Sequence, residues 1–75
     1  MGKDELLLRL GDRVRKLRKQ HGWTQTIMAE KVGIDRTFLA EVETGRRNIA
    51  IFNLYLIAKS LNLSLAQLLS GIRDK

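Results

Sequence analysis

The sequence contains no cysteine, no proline and only one histidine. Without cysteine, disulfides and thiolate metal sites are excluded, and a lone histidine does not build a metal site. The longest apolar runs, Leu6–Leu8, Ile49–Phe52 and Leu54–Ala58, are far too short to span a bilayer. The charged N-terminus lacks the apolar segment of a signal peptide. We therefore expect a cytoplasmic protein that carries no metal and no cofactor.

Positive charge is what the sequence has in excess. Fourteen Lys and Arg stand against eight Asp and Glu, which gives a formal net charge of +6 in 75 residues. Such an excess favours nucleic acid, an anionic membrane or an acidic protein as the partner. The length suits one small domain with a thin core, so we expect residues 1–75 to form a single domain.

Apolar residues recur at helical spacing, and no stretch alternates apolar and polar residues for long. The pattern predicts a compact all-α domain of five short helices. The first three run roughly from Asp4 to Gln20, from Gln25 to Val32, and from just after Asp35 to Thr44. The first has the apolar face Leu6, Leu7, Leu10, Val14 and Leu17. The fourth has the inner stripe Ile51, Leu54, Ile57, Ala58 and Leu61. The fifth follows Ser64 and has the apolar face Leu65, Leu68, Leu69 and Ile72.

Residues with strong capping preferences mark the ends of these helices. Glycine tolerates the left-handed backbone that closes a helix, and we expect this role at Gly22, Gly33 and Gly45. Side-chain oxygens accept the free N–H groups of a first turn, and we expect such N-caps at Thr24, Asp35 and Ser64. With Gln67 three residues later, Ser64 has the spacing of a capping box.

The second and third helices have the spacing of a helix-turn-helix. Counted from Gln25, the fourth, fifth, eighth, ninth, tenth, fifteenth and eighteenth positions are Met28, Ala29, Val32, Gly33, Ile34, Leu39 and Val42. Ala29 must be small because the next helix crosses close above it, and Gly33 must turn the chain. The remaining positions are inner apolar faces. Together the seven residues predict a DNA-binding helix-turn-helix.

The second helix of such a unit lies in the major groove, with its N-terminal residues towards the bases. The predicted base-reading residues are Arg36, Thr37, Ala40 and Glu41. A cation at a helix N-terminus is unfavourable for the isolated helix, so Arg36 is expected to pair with guanine. Two roles stay open for Glu41. It accepts a hydrogen bond from cytosine, or it repels phosphate and serves only to orient Arg36.

From about Leu10 to Leu69 the chain resembles the phage-repressor and Cro type of helix-turn-helix protein, the XRE family. The segments "LGDRVRKLRKQHGWTQ", "MAEKVGI", "VETGRR" and "LIAKSLNLSLAQLL" carry this resemblance. It implies a lambda-repressor-like fold. Within the family, "DRTFLAEVETGRRNIAI" is most similar to the controller proteins of restriction–modification systems. Phe38 stands where that subgroup usually has Tyr, and Ala40 where it often has Ser.

The resemblance also implies roles for residues outside the recognition helix. Gln25 begins the second helix, where free N–H groups suit an anion, and a Gln at this place in the family holds a phosphate. Three residues of the loop after the recognition helix are expected to grip the flanking DNA backbone: Arg46, Arg47 and Asn48. Family members pair the residues matching Arg18 and Glu43, which implies an ion pair without a DNA role.

The fourth helix is apolar on more than one side. Phe52, Tyr55 and Leu56 lie together beyond its inner stripe, and a small monomer rarely exposes such a patch without a use. We expect a two-fold homodimer in which helices four and five meet their symmetry mates. The expected interface residues are Phe52, Tyr55, Leu56 and Leu65. The alternative is that these side chains contact Leu6–Leu8 of the first helix.

These patterns predict a sequence-specific transcriptional regulator that binds double-stranded DNA as a homodimer on a palindromic operator. It is not expected to be an enzyme, because no nucleophile–base set is present. The controller resemblance implies regulation of its own promoter and of an endonuclease promoter, with RNA polymerase as a further partner during activation. The alternatives are a phage repressor, an antitoxin-type autorepressor or a protein-interaction module on the same fold. The five-helix pattern disfavours a membrane-surface helix.

Overall fold

The computed structural model describes residues 1–72, and residues 73–75 at the end of the predicted domain lie outside the described residues. Five helices occur in the described part of the chain: α1 (Lys3–Gln20), α2 (Gln25–Val32), α3 (Arg36–Glu43), α4 (Ile51–Ser60) and α5 (Leu65–Leu69). No strand accompanies them in residues 1–72. The all-α, five-helix prediction is confirmed. None of these helices is both long and apolar enough to cross a bilayer.

The predicted N-caps are formed. The side chains of Thr24 and Asp35 each accept a backbone N–H from the first turn of the following helix, at 3.1 and 2.7 Å. Ser64 and Gln67 form both bonds of a capping box, at 3.0 and 2.9 Å. The capping box matters most for α5, because a helix of only five residues does not persist without fixed ends.

A glycine in the left-handed backbone conformation follows each of the first three helices. The three glycines predicted to end helices have φ values of +74°, +84° and +75°. The decisive one is Gly33, the first of the three residues between α2 and α3, and its N–H donates to the carbonyl of Ala29 at 2.8 Å. A residue with a Cβ would be strained there, so the crossing of α2 and α3 depends on this glycine.

The core lies between all five helices. Its fully buried side chains include Val14, Met28, Leu39, Val42, Ile57 and Leu68. Three residues predicted to face inward are exposed: Ile51 by 67%, Leu6 by 45% and Leu69 by 38%. Ile51 is the first residue of α4, and the first buried side chain of this helix is Leu54, one turn later.

Helices α1 and α3 cross at Gly11, which is buried in the middle of α1. A Cβ at this position would collide with the carbonyl oxygen of Val42 and would lie 2.6 Å from that of Glu43. The two backbones therefore touch, and the absent side chain of Gly11 sets how closely the end of α3 approaches α1. Helical periodicity did not predict this role of Gly11.

Gly11→Ala should lower the free energy of unfolding by about 1–3 kcal/mol, the usual cost of overpacking. Alanine is the better helix former, yet the atoms it would meet are backbone carbonyls that cannot rotate away. Urea unfolding followed by circular dichroism measures the effect. Gly2→Ala is the matched control, because nothing lies within 4 Å of its Cβ position. Equal midpoints for the two variants would show that the crossing is looser than described.

Candidate nucleic-acid interface

The start of α3 is exposed to solvent because α3 packs into the core through its opposite side. Leu39 and Val42 are fully buried on one side of α3. On the opposite side Arg36 and Thr37 are exposed, while Ala40 and Glu41 are partly buried. Helical spacing puts these four side chains on one face. The predicted base-reading residues are thus adjacent on an accessible surface.

The loop after α3 adds positive charge beside this face. Gly45 turns the chain with a φ of +75°, and the side chains of Arg46, Arg47 and Asn48 are all exposed. The N–H of Arg46 donates to the carbonyl of Glu41 at 2.9 Å, which keeps the loop close to the end of α3. The residues predicted to hold phosphate therefore directly flank the recognition helix.

Arg47 folds back over α3 instead of extending from the loop. Its guanidinium carbon lies 5.0 Å from the centre of the Phe38 ring, and its Nε lies 3.3 Å from Oε1 of Glu41. Within the described residues the carboxylate of Glu41 pairs with Arg47 and not with Arg36. The hypothesis that Glu41 orients Arg36 is therefore not supported by this geometry.

Gln25 is partly buried at the first position of α2. Its Nε2 donates to Oε1 of Glu43 at 3.1 Å. A primary amide has two N–H donors, so this bond fixes the orientation of the side chain and leaves one donor for another acceptor. Its assignment to phosphate stays a prediction, but the structure shows what holds the amide in place.

Arg18 and Glu43 form the predicted pair in the interior. Arg18 Nε and Nη2 donate to the two carboxylate oxygens of Glu43 at 2.7 and 3.0 Å, and Nη1 donates to the carbonyl of Trp23 at 2.7 Å. The two side chains are 9% and 2% exposed. This bidentate contact ties α1 to the turn before α2 and to the last residue of α3.

Arg13 has a structural role that its sequence context did not predict. Its Nε and Nη2 donate to the carbonyls of Leu68 and Gln67 at 2.9 Å each, at the C-terminal end of α5. These carbonyls lack helical partners and carry the negative end of the helix dipole, so a cation suits them. Arg13 is one of five Lys or Arg residues between positions 13 and 19, and nothing local distinguishes it from the others.

The predicted dimer residues lie on α4 and α5, and the two aromatic ones form an exposed patch on α4. Phe52 and Tyr55 are 65% and 44% exposed, with ring centroids 6.3 Å apart. Leu56 and Leu65 are partly buried against the core. In the alternative prediction Leu6 and Leu8 of α1 contact these rings, but the two leucines are themselves 45% and 56% exposed. The aromatic rings therefore remain available to a partner.

Residues 14–68 match the family model for helix-turn-helix proteins, HTH_3. The match spans more than half of the chain and includes α2 and α3. The chain belongs to the helix-turn-helix family of XRE type.

Within this family the chain is similar to restriction–modification controller proteins, which confirms the predicted resemblance. The control protein C.MunI of Mycoplasma sp is 33% identical over 73 residues, which cover 96% of this chain and 99% of the relative. The controller protein C.AhdI from Aeromonas hydrophila has a crystal structure that matches with a TM-score of 0.80 and 34% identity, over 83% of this chain and 94% of that one. A third controller, C.Esp1396I, matches with a TM-score of 0.77 and 34% identity, over 89% and 93% of the two chains.

Arg18→Ala should lower the free energy of unfolding by about 3–5 kcal/mol, because it leaves the buried carboxylate of Glu43 without a cation. Arg15→Ala removes the same charge from an exposed position of α1 and should change stability by less than about 0.5 kcal/mol. Urea denaturation at one fixed protein concentration compares the two.

The double variant Arg18→Met with Glu43→Leu should recover most of the lost stability, since it removes both charges and keeps the volume. If Arg18→Ala is as stable as Arg15→Ala, the ion pair does not hold α1 and α3 together.

Proposed function

We propose that this protein is a sequence-specific DNA-binding transcriptional regulator, with α3 as its recognition helix. The observation that carries the proposal is the exposed face of α3, with Arg36 and Thr37 at its start and three polar loop residues directly after it. A helix that enters the major groove needs its N-terminal side chains free and cations beside it for the backbone. No catalytic role is proposed.

In this proposal Arg36 and Thr37 read bases, with Ala40 and Glu41 on the same face. Arg36 pairs bidentately with a guanine, and the methyl or hydroxyl of Thr37 contacts the neighbouring base or phosphate. Gln25 and the loop residues Arg46, Arg47 and Asn48 bind phosphates on either side of the groove. Support for a phosphate contact by Gln25 comes from its position at the N-terminus of α2, where the helix dipole favours an anion.

We further propose that residues 1–75 form one domain that acts as a homodimer through Phe52, Tyr55, Leu56 and Leu65. A two-fold dimer sets two recognition helices about 34 Å apart, which matches a palindromic operator. The relative C.Esp1396I is described as a tetramer in complex with its natural 35 base-pair operator. That description supports a DNA partner and self-association for this chain as well.

The similarity to C.MunI and C.AhdI favours a restriction–modification controller. As such, the protein would bind its own promoter and that of an endonuclease. It would activate them at low concentration through contact with RNA polymerase and repress them at high concentration. It would act in the cytoplasm, where the promoters and the polymerase are.

Selection of double-stranded fragments from random DNA tests the proposed function and the role of Arg36. The wild-type protein should enrich one palindromic sequence. Arg36→Ala should lose about 1–3 kcal/mol of binding free energy on that sequence, and its selected pool should be relaxed at one base pair of each half-site. Lys16→Ala is the control, because this exposed cation lies near Arg13 and Gly71 on the α5 side of α1.

The expected salt dependence is steep. A dimer that binds roughly eight phosphates should show a log–log slope of about −7. Flat salt dependence, or the absence of any enriched sequence, would rule out the regulator proposal. If Arg36→Ala weakens binding to all sequences equally, Arg36 binds phosphate rather than a base.

Tyr55→Asp should convert the dimer to monomers in sedimentation equilibrium, because it puts a charge at the centre of the exposed aromatic patch. Operator binding should weaken and become more strongly dependent on protein concentration. Gln20→Asp adds the same charge at the exposed end of α1, outside the patch, and should leave the dimer intact. A dimer that survives Tyr55→Asp would place the interface elsewhere.

A further inference from the structure

Arg47 is restrained by two side chains of α3, although it belongs to the following loop. Its guanidinium lies over the Phe38 ring at 5.0 Å, and its Nε approaches the Glu41 carboxylate at 3.3 Å. The side chains of Arg47 and Glu41 are 51% and 43% exposed, so both contacts are open to solvent. An exposed ion pair and an exposed cation–π contact are each weak, but together they favour one orientation of a long side chain.

The negative charge of Glu41 is isolated on this surface. Residues 36–48 contain two carboxylates and three arginines. The other carboxylate, Glu43, is buried against Arg18. Glu41 is therefore the one acid of this segment that faces solvent, on a surface where a negative charge opposes DNA.

The geometry leaves Arg47 able to bind a second acceptor while it stays on α3. Glu41 approaches only the Nε atom. A guanidinium has five N–H donors, so the Nη groups remain available to a phosphate that is placed beside the recognition helix. A phosphate elsewhere is reached only if Arg47 leaves both Glu41 and Phe38.

We infer that Glu41 is a positioning residue that determines specificity. It holds Arg47 beside α3 in the orientation that binds phosphate when α3 lies in the groove of the operator. This inference rests on the proposed function. On the operator, base contacts bring the backbone close to α3, and Arg47 binds phosphate while it remains paired. On other DNA the protein binds phosphates at loosely defined positions, so Arg47 must separate from Glu41, which leaves a carboxylate facing DNA. Glu41 thus weakens non-operator binding more than operator binding.

Glu41→Gln tests the inference, because the substitution keeps the shape of the side chain and removes its charge. Affinity for a non-operator duplex should rise about two- to fivefold per protomer, the range set by exposed ion pairs, while affinity for the selected operator should not rise. The ratio of the two affinities should fall accordingly. Fluorescence anisotropy titrations at one fixed salt concentration measure both.

Two further variants separate the inference from its rivals. In an Arg47→Ala background, Glu41→Gln should have no effect on the affinity ratio, since there is no side chain left to position. Asp12→Asn is the matched control: it removes one charge from another exposed pair, Lys16–Asp12 at 3.0 Å, and should leave the ratio unchanged.

Three outcomes would overturn the inference. An equal rise on both duplexes means that Glu41 only repels DNA. An unchanged effect in the Arg47→Ala background means that Glu41 does not act through Arg47. A loss confined to one operator base pair means that Glu41 reads a base.

Nuclear magnetic resonance of the free protein tests the restraint without DNA. The Nε–H signal of Arg47 should be shifted by the Phe38 ring in the wild-type protein and should lose that shift in Glu41→Gln. If the wild-type protein selects no DNA but shows the shifted signal, the proposed function fails while the restraint stands. An unshifted signal in the wild-type protein would refute the restraint itself.

Discussion

The position of the recognition helix depends on one buried ion pair. Glu43 is the last residue of α3, and its carboxylate accepts two hydrogen bonds from Arg18 of α1 and one from Gln25 of α2. The same guanidinium also bonds the carbonyl of Trp23, just before α2. A buried pair of this kind often adds little net stability, because both charges lose their hydration. Its value lies in geometry, since apolar packing alone permits a helix to slide or rotate, whereas a bidentate bond does not.

The close approach of α1 and α3 at Gly11 also fixes the position of α3, by steric contact. With no Cβ between them, α1 and the end of α3 touch at the carbonyls of Val42 and Glu43, next to the ion pair. Both constraints act at the C-terminal end of α3. The N-terminal end, with Arg36 and Thr37, is left free of intramolecular contacts that would hide its side chains. A short helix fixed at one end and accessible at the other is suited to reading a groove.

Local signals predicted most of the fold, and contacts between distant residues explain what they missed. The caps at Thr24, Asp35 and Ser64 follow from side chains that bond their own next turn, so sequence alone predicts them. Periodicity shows which side of a helix faces inward, but not how far the core extends, and Ile51 was therefore misassigned. Two further residues needed the tertiary arrangement. Gly11 matters only where α3 crosses it, and Arg13 only because α5 ends beside it, 55 residues away.

At the interface, the exposed face of α3 was predictable from helical spacing. The return of Arg47 onto Phe38 and Glu41 was not predictable, because it depends on the path of a loop.

The total of fourteen Lys and Arg overstates the number of cations that are free to bind DNA. Arg18 is neutralised inside the protein, Arg13 bonds the carbonyls of α5, and Arg47 is paired with Glu41. On the proposed DNA-facing side, Arg36 and Arg46 are the arginines without an ion pair among the described residues. They flank α3, one at its start and one just after its end. Total charge attracts every duplex equally, and only groups at fixed positions distinguish one sequence from another. The positions of these two free guanidinium groups beside a fixed helix therefore say more about sequence recognition than the total charge does.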